Sequence, residues 1–192
     1  MKQDIILAGV GGQGILSIAY VIDNAALADG LSFKQAEVHG MAQRGGAVQS
    51  HMRLSKGAIW SDLIPKGEAD MVLSVEPLEA LRYLDYLRPD GIVVTSSTPY
   101  RNIPDYPDVE AVLAAVRKAP RAVVVDAETL AKEAGTVKAQ NIVLLGAAAP
   151  SLILAEASLL RTIEDLFRGR GPTVLDANLK AFALGKRAAL GQ

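Results

Sequence analysis

Apolar residues along the chain recur with the spacing of buried strands in some segments and of amphipathic helices in others. The run Asp4–Ala8 is short and apolar and is followed by glycines, which is typical of a buried strand. From Ile15 to Ala28 the apolar residues return every three or four positions, which predicts a helix closed by Gly30. The later apolar runs predict further strands at Ser32–Val38, Ala47–Leu54, Ala58–Trp60, Met71–Val75, Ile92–Thr95 and Ala122–Val125.

In the segments between the later strands, the apolar residues have the spacing of helices. Pro77 suits a first helical turn, and leucines follow it every third residue from Leu78 to Leu87, which predicts one helix face. We expect Pro89–Gly91 to form a turn after this helix. The remaining predicted helices are Val109–Lys118, Glu128–Ala134, Ala139–Ala149, Ala155–Phe167 and Ala177–Leu190.

Alternating strands and helices indicate the α/β class. We expect a three-layer α/β/α arrangement with a Rossmann-like, mostly parallel sheet. The exception is a short antiparallel piece, in which Ala58–Trp60 pairs with Ala47–Leu54 across Ser55–Gly57. Neither a repeat nor a linker divides the sequence, so residues 1–192 are predicted to form a single domain.

The composition excludes several classes of protein and site. Half of the 192 residues are hydrophobic and 21% are charged, which is typical of a packed globular protein. The net charge of −1 argues against nucleic acid as the main partner. Neither a secretory leader nor a membrane span is recognisable, so we expect a cytoplasmic protein. The chain has no cysteine and only two histidines, which excludes disulfides, thiol nucleophiles and Cys-ligated iron–sulfur clusters.

A glycine-rich turn follows the first predicted strand. Gly9, Gly11 and Gly14 fit the pattern G-x-G-x-x-G, with Gly12 and Gln13 between them, and the first long helix begins directly afterwards. Glycines allow an anion to approach the backbone closely, and a helix N-terminus offers free N–H groups. A tight strand-to-helix turn needs glycines even without a ligand, so the turn is equally compatible with a bound anion and with a structural role. An acidic residue at Glu37 would bind ribose hydroxyls if the ligand were a dinucleotide.

A second cluster, residues 37–46, is dense in polar side chains and glycines. His51 and Arg53 follow it with the alternation that places both side chains on one face of a strand. Such a cluster favours a loop that binds a ligand or a partner, although a polar surface loop with an ion-paired arginine has the same composition. The candidate substrate- or partner-facing residues are Glu37, His39, Gln43, Arg44 and Arg53.

Together these two motifs resemble the gamma-type domain of the 2-oxoacid:ferredoxin oxidoreductase family. The form His39-Gly40-Met41-Ala42-Gln43-Arg44 is similar to the indolepyruvate branch, in which this domain is the small beta subunit. The resemblance continues in order through segments 63–70, 76–83, 141–147 and 178–182 and so covers nearly the whole chain.

The resemblance implies a part in an oxidative decarboxylation. Enzymes of this family convert a 2-oxoacid, coenzyme A and oxidised ferredoxin into an acyl-CoA, carbon dioxide and reduced ferredoxin, with aromatic acids as substrates in the indolepyruvate branch. Their [4Fe–4S] clusters are then expected on a large alpha subunit, because this chain lacks cysteine. Their thiamine diphosphate and magnesium are expected there too, because this chain has no Gly-Asp-Gly stretch of the kind that thiamine diphosphate enzymes use with a metal. We expect no catalytic residue and no metal on this chain and no turnover by the chain alone. The glycine turn and the 39–46 loop would face the partner near the entrance for substrate or coenzyme A.

Three alternatives remain open at this point. The chain could be a gamma subunit serving pyruvate, 2-oxoglutarate or branched-chain acids, or an independent dinucleotide-dependent enzyme with His39 or His51 as proton donor. It could also be a homo-oligomeric module that binds a nucleotide or an acyl-CoA. Homodimerisation of the isolated chain is compatible with the subunit hypothesis, because it would cover apolar surface left free by the missing partner.

Overall fold

The computed structural model describes residues 1–39, 45–101 and 103–191, and for His39 it describes the backbone only. The six strands within this part of the chain are β1 (Lys2–Val10), β2 (Ser32–His39), β3 (Ala47–Ser55), β4 (Ala69–Ser74), β5 (Leu87–Ser96) and β6 (Arg121–Val125). The α-helices are α1 (Ile15–Ala28), α2 (Pro77–Arg82), α3 (Val109–Val116), α4 (Ala127–Ala134), α5 (Gln140–Ala148), α6 (Glu156–Phe167) and α7 (Pro172–Leu190).

The strands form one sheet in the order β2-β3-β1-β4-β5-β6. Strand β3 is antiparallel to both of its neighbours, whereas β1, β4, β5 and β6 are parallel to one another. Helices α1 and α4–α7 cover the face of the sheet that carries Ile5 and Leu7. Helices α2 and α3 cover the face that carries Ile6. The predicted three-layer, mostly parallel α/β fold is therefore confirmed.

The predicted strand Ala58–Trp60 is wrong. The antiparallel part of the sheet consists of β3 paired with β1 on one side and β2 on the other, and residues 56–68 contain no strand. Side chains of β3 hold this segment against the sheet, because Arg53 Nη1 donates to the carbonyl oxygens of Ser61 and Leu63 at 3.1 and 3.0 Å. Trp60 stands out of the segment with 92% of its surface exposed.

The predicted helix along Leu78–Leu87 is too long. Helix α2 ends at Arg82, a 3₁₀ turn follows at Leu84–Tyr86, and Leu87 already pairs with Ala69 of β4. Pro89–Gly91 consequently lies within β5 instead of forming a turn. The third-residue spacing of leucines in this region therefore spans three short elements, and Leu81, Leu84 and Leu87 are each partly buried against the core on this face of the sheet.

Most other boundaries agree with the sequence pattern to within two residues. Helix α1 begins and ends as predicted, and Gly30, with φ of 72°, closes it. Helix α7 begins at Pro172, five residues before the predicted start, since proline is favoured in a first helical turn. Within the described ranges, none of the helices combines the length and the apolar character that crossing a membrane would need.

Candidate functional site

A cleft of about 780 Å³ lies beside the carboxyl ends of β1 and β4. These strands are adjacent and parallel, but the chain leaves them in opposite directions, since β1 leads to α1 on one face and β4 leads to α2 on the other. Open α/β sheets bind ligands at such a switch point, because the two connections diverge and leave a crevice. Gly12, Gln13 and Gly14 line this cleft on one side and Val75 on the other.

The glycine turn is held by backbone and side-chain hydrogen bonds of its own. Gln13 N donates to Val10 O at 3.0 Å, and Gln13 Oε1 accepts from Val10 N at 2.8 Å. Gly14 is the N-cap of α1 and makes no side-chain cap, so the first N–H groups of this helix lack a capping side chain. The turn therefore brings uncapped helix N–H groups to the rim of the cleft.

Two glycines of the turn are required by conformation, and one of them also by space. Gly12 and Gly14 have φ of 100° and 81°, which side-chain-bearing residues rarely adopt. A Cβ on Gly14 would lie 2.5 Å from Asn141 Nδ2, whereas a Cβ on Gly12 would meet no atom within 4 Å. Gly14 thus serves the packing of α1 against α5, while Gly12 faces open space.

The structure brings the glycine turn together with the end of the second sequence cluster. Gly11 N donates to Gly46 O at 2.8 Å, and Gly45 N donates to Gly11 O at 3.3 Å. His39 pairs through its backbone with Val48, which in turn pairs with Gly9. Gln43 and Arg44, and with them residues 40–42, lie outside the described residues. The glycine turn and the described end of the second cluster are therefore in direct backbone contact.

The cleft carries positive charge. Among its described lining residues the charged ones are Lys138, which follows α4, and Arg170, which precedes α7, and neither forms an ion pair within the described part of the chain. The Arg170 guanidinium lies 5.5 Å from the ring centroid of Phe167, another lining residue. Apolar lining residues include Val75, Val174 and Ala177. Two cations over partly apolar walls suit a ligand that has anionic and apolar parts.

Two asparagines line this cleft, and each lies in a different segment that carries the family resemblance. Asn141 donates from Nδ2 to Gly14 O at 3.1 Å and so ties the start of α5 to the glycine turn. Asn178 lies on α7 and donates to Val174 O of the preceding turn at 2.8 Å. The resemblance motifs, far apart in sequence, therefore converge on one cleft.

Glu37 is not brought to the glycine turn. Strand β3 separates β2 from β1, and Glu37 is level with Leu7 across Ser50. Two strand spacings put their backbones roughly 10 Å apart. Glu37 Oε2 accepts from Gln35 Nε2 at 3.1 Å. In a dinucleotide fold the acidic residue follows the strand directly beside the glycine turn, so the inserted antiparallel strand argues against that arrangement.

The side chains of His51 and Arg53 lie on the same face of the sheet, the face that carries Ile6, as the alternation predicted. Arg53 binds the buried carboxylate of Asp4 with Nε at 2.9 Å and Nη2 at 3.0 Å, which favours a structural role for this guanidinium. His51 Nδ1 accepts from Ile64 N at 3.0 Å, and its ring meets Tyr86 edge to face. Burial, and secondarily the charge of Arg53, lowers the pKa of His51, so this imidazole is neutral near pH 7.

Lys138 and Arg170 were missed as candidates from the sequence. Each is one of many charged residues near a helix end, where the ordinary interpretation is solvation. The local feature in the sequence is a nearby glycine. Gly171 adjoins Arg170 and Gly135 lies three residues before Lys138, and these glycines have φ of 92° and 115°.

The donor set of the chain does not fit an iron–sulfur cluster, because there is no cysteine to supply a thiolate. Over the described ranges, no group of three or more His, Asp or Glu side chains is arranged to hold a metal ion.

Comparison with known proteins gives a family over almost the full length. The family described as pyruvate ferredoxin/flavodoxin oxidoreductase matches residues 4–188. The chain is 38% identical to the indolepyruvate oxidoreductase subunit IorB of Pyrococcus horikoshii and 37% identical to that of Thermococcus kodakarensis, over 98% of this chain and 97% of each relative. Subunits of ketoisovalerate and pyruvate/ketoisovalerate enzymes are 27–28% identical over 84–93% of this chain, and a 2-oxoglutarate synthase subunit is 32% identical over 49% of it.

A solved structure supports the same assignment. The pyruvate oxidoreductase subunit PORC of Thermotoga maritima superposes with a TM-score of 0.72 at 25% identity, over 97% of this chain and 96% of that one. Its fold, the family match and the full-length relatives agree. The chain therefore belongs to the pyruvate ferredoxin/flavodoxin oxidoreductase family, as a small subunit of a 2-oxoacid:ferredoxin oxidoreductase.

Proposed function

We propose that this chain is the small subunit of an indolepyruvate:ferredoxin oxidoreductase. The complete enzyme would convert aryl pyruvates, coenzyme A and oxidised ferredoxin into arylacetyl-CoA, carbon dioxide and reduced ferredoxin. The observation that carries the substrate class is the identity of 35–38% to indolepyruvate oxidoreductase subunits over nearly the whole chain. Relatives named for other 2-oxoacids are less similar, at 27–28% over most of the chain or 32% over half of it.

The complete enzyme would need a large subunit. Thiamine diphosphate, magnesium and [4Fe–4S] clusters would sit there, since the clusters require thiolates that this chain lacks. Ferredoxin would then exchange electrons with the large subunit's clusters. The part left to the small subunit is binding and orientation of a co-substrate.

The cleft beside the glycine turn supports coenzyme A as the bound co-substrate. Its phosphates are anionic, and Lys138, Arg170 and the uncapped N-terminus of α1 are the positive features around this cleft. The pantetheine arm is largely apolar and would lie along Val75 and Val174. The volume of about 780 Å³ falls within the range of about 300–1,000 Å³ usual for cofactor sites.

The first test is the substrate profile of the assembled enzyme. The tagged chain, purified without oxygen from its native cells, is expected to bring down a cysteine-rich large subunit that contains thiamine diphosphate. With ferredoxin and coenzyme A, this complex should oxidise indolepyruvate and phenylpyruvate at least tenfold more efficiently than pyruvate or 2-oxoglutarate, and the small subunit alone should be inactive. A preference for pyruvate or 2-oxoglutarate would contradict the aromatic assignment. Recovery of the chain alone with a bound dinucleotide would contradict the subunit assignment.

The second test concerns the positive charge of the cleft. Arg170→Ala in the assembled enzyme should raise the KM for coenzyme A about tenfold, because one phosphate contact with a guanidinium contributes about 1.5 kcal/mol. The kcat and the KM for the 2-oxoacid should stay within twofold. Arg168→Ala is the matched control, since Arg168 lies on the same 3₁₀ turn but pairs with Asp165 at 3.1 Å and does not line the cleft. Equal effects of the two variants would place coenzyme A elsewhere.

A further inference from the structure

Glu76 is a buried carboxylate at the carboxyl end of β4, and its two oxygens have separate tasks. Only 1% of the residue is exposed. Oε2 accepts from Glu79 N at 2.8 Å and thereby caps α2. Oε1 accepts from Tyr100 N at 3.3 Å and from the phenol of Tyr106. Capping the six-residue helix α2 needs only Oε2, so the two hydrogen bonds that Oε1 accepts do not serve the cap.

The second oxygen connects β4 to the segment between β5 and α3. The start of this segment is anchored independently, because Ser97 N donates to Val125 O at 2.9 Å and Thr98 N donates to Ser96 Oγ at 3.0 Å. Beyond Thr98, the described hydrogen bonds that Tyr100 and Tyr106 make to Glu76 tie the segment to the connection between β4 and α2. The carboxylate therefore fixes the segment at two points.

The hydrogen bond from the Tyr106 phenol to Glu76 persists throughout the physiological pH range. Burial, and secondarily the hydrogen bond to Glu76, raises the pKa of Tyr106, so the phenol keeps its proton and remains a donor throughout the physiological range. A charge-assisted O–H bond to a carboxylate is also among the stronger hydrogen bonds in proteins. The bond by which Glu76 holds the segment between β5 and α3 is therefore stronger than a hydrogen bond between two neutral groups.

The segment fixed in this way forms part of the cleft. Tyr100 lines the cleft, as does Val75, the residue directly before Glu76. Nearly half of Tyr100, 46%, is exposed, so this lining residue is not enclosed in the core. Exposed tyrosine in a cleft wall is a common contact for the planar or apolar parts of a ligand.

We propose that Glu76 is a positioning residue that fixes the Tyr100 ring in the wall of the cleft, and that this ring packs against the bound co-substrate. The inference rests on the proposed function of the cleft. It adds Tyr100 as a residue that determines the affinity for the co-substrate and Glu76 as the residue that positions Tyr100. Neither residue touches the reacting atoms, so their effect is on binding of the co-substrate and not on the chemical step.

The experiment measures steady-state kinetics of the assembled enzyme with coenzyme A as the varied substrate. Tyr100→Ala should raise the KM for coenzyme A about tenfold, and Tyr100→Phe, which keeps the ring, should stay within twofold of the parent. Tyr20→Ala is the matched control, since Tyr20 is also 46% exposed but lies on α1 and does not line the cleft. In all variants the kcat and the KM for the 2-oxoacid should remain within twofold.

Tyr106→Phe tests the positioning role, because it removes a hydrogen bond to Glu76 Oε1 and leaves both the helix cap and the Tyr100 side chain in place. We expect it to raise the KM for coenzyme A three- to tenfold, as Glu76→Gln should also do. If Tyr106→Phe lowered the melting temperature but left this KM unchanged, the role of Glu76 would be structural only and the proposal would fail. If Arg170→Ala raised the KM while Tyr100→Ala did not, this inference alone would be overturned. If neither variant changed it, the proposed function of the cleft would fail as well.

Discussion

Replacement of Gly185 by alanine should destabilise the protein by about 3 kcal/mol. Helix α7 crosses α5 so closely at this glycine that an added Cβ would lie 1.8 Å from Val143 O and 2.7 Å from its carbonyl carbon. Those atoms are backbone and cannot turn aside, so the two helices must separate. Alanine favours a helix over glycine by about 1 kcal/mol, which is smaller than the overpacking it causes here.

Thermal unfolding followed by circular dichroism would measure this effect. For a chain of this length, a loss of about 3 kcal/mol lowers the melting temperature by roughly 6–12 °C. Gly146→Ala should behave similarly, because its Cβ would lie 2.1 Å from Phe182 O. Gly169→Ala is the control, since a Cβ there would meet nothing within 4 Å and should change the melting temperature by less than about 2 °C. A Gly185→Ala protein as stable as the parent would show that α5 and α7 do not pack as described.

Replacement of Arg53 by alanine should cost at least about 3 kcal/mol. Asp4 is buried, with 1% of its side chain exposed, and Arg53 meets both of its oxygens. Removal of the guanidinium leaves a buried carboxylate whose remaining cationic partner, among the residues that the structure describes, is the half-exposed Lys2 at 2.8 Å. The variant also loses two hydrogen bonds that hold residues 61–63 on the sheet.

Urea unfolding of a double-mutant cycle would separate these contributions. Asp4→Asn removes the charge that Arg53 compensates, so Asp4→Asn with Arg53→Ala should be more stable than the sum of the single changes predicts, by about 1 kcal/mol or more. Lys66→Ala serves as control, because its pair with Asp85 is 67% and 75% exposed and should contribute less than about 0.5 kcal/mol. Additive single effects would indicate that the ion pair does not stabilise the fold.

The sequence pattern predicts most elements of the fold because burial repeats with the period of each element. It fails where long-range contacts decide. Ala58–Trp60 has the composition of a strand, but β3 already has strands on both sides and holds the following residues by side-chain bonds. The leucine spacing after Pro77 continues past Arg82 only by coincidence, because pairing of Leu87 with β4 outweighs the helical preference.

The candidate site is predictable in part. The glycine turn is found by its pattern, and Asn141 and Asn178 lie in segments that carry the family resemblance. Lys138 and Arg170 are not found, since only the packing of α4, α5 and α7 brings them to one cleft. The double task of Glu76 is also invisible in the sequence, because Tyr106 is 30 residues away and lies in an irregular segment.

The exposure of Trp60 has a consequence for spectroscopy. It is the single tryptophan of the chain and 92% exposed, so its indole is surrounded by water in the folded subunit almost as completely as in the unfolded chain. Unfolding should therefore shift the tryptophan emission of the isolated subunit very little. A protein that covers residues 58–63 would instead transfer the indole to an apolar environment and shift its emission to shorter wavelength. The same side chain that is insensitive to folding is thus a built-in fluorescent reporter of contact at this surface.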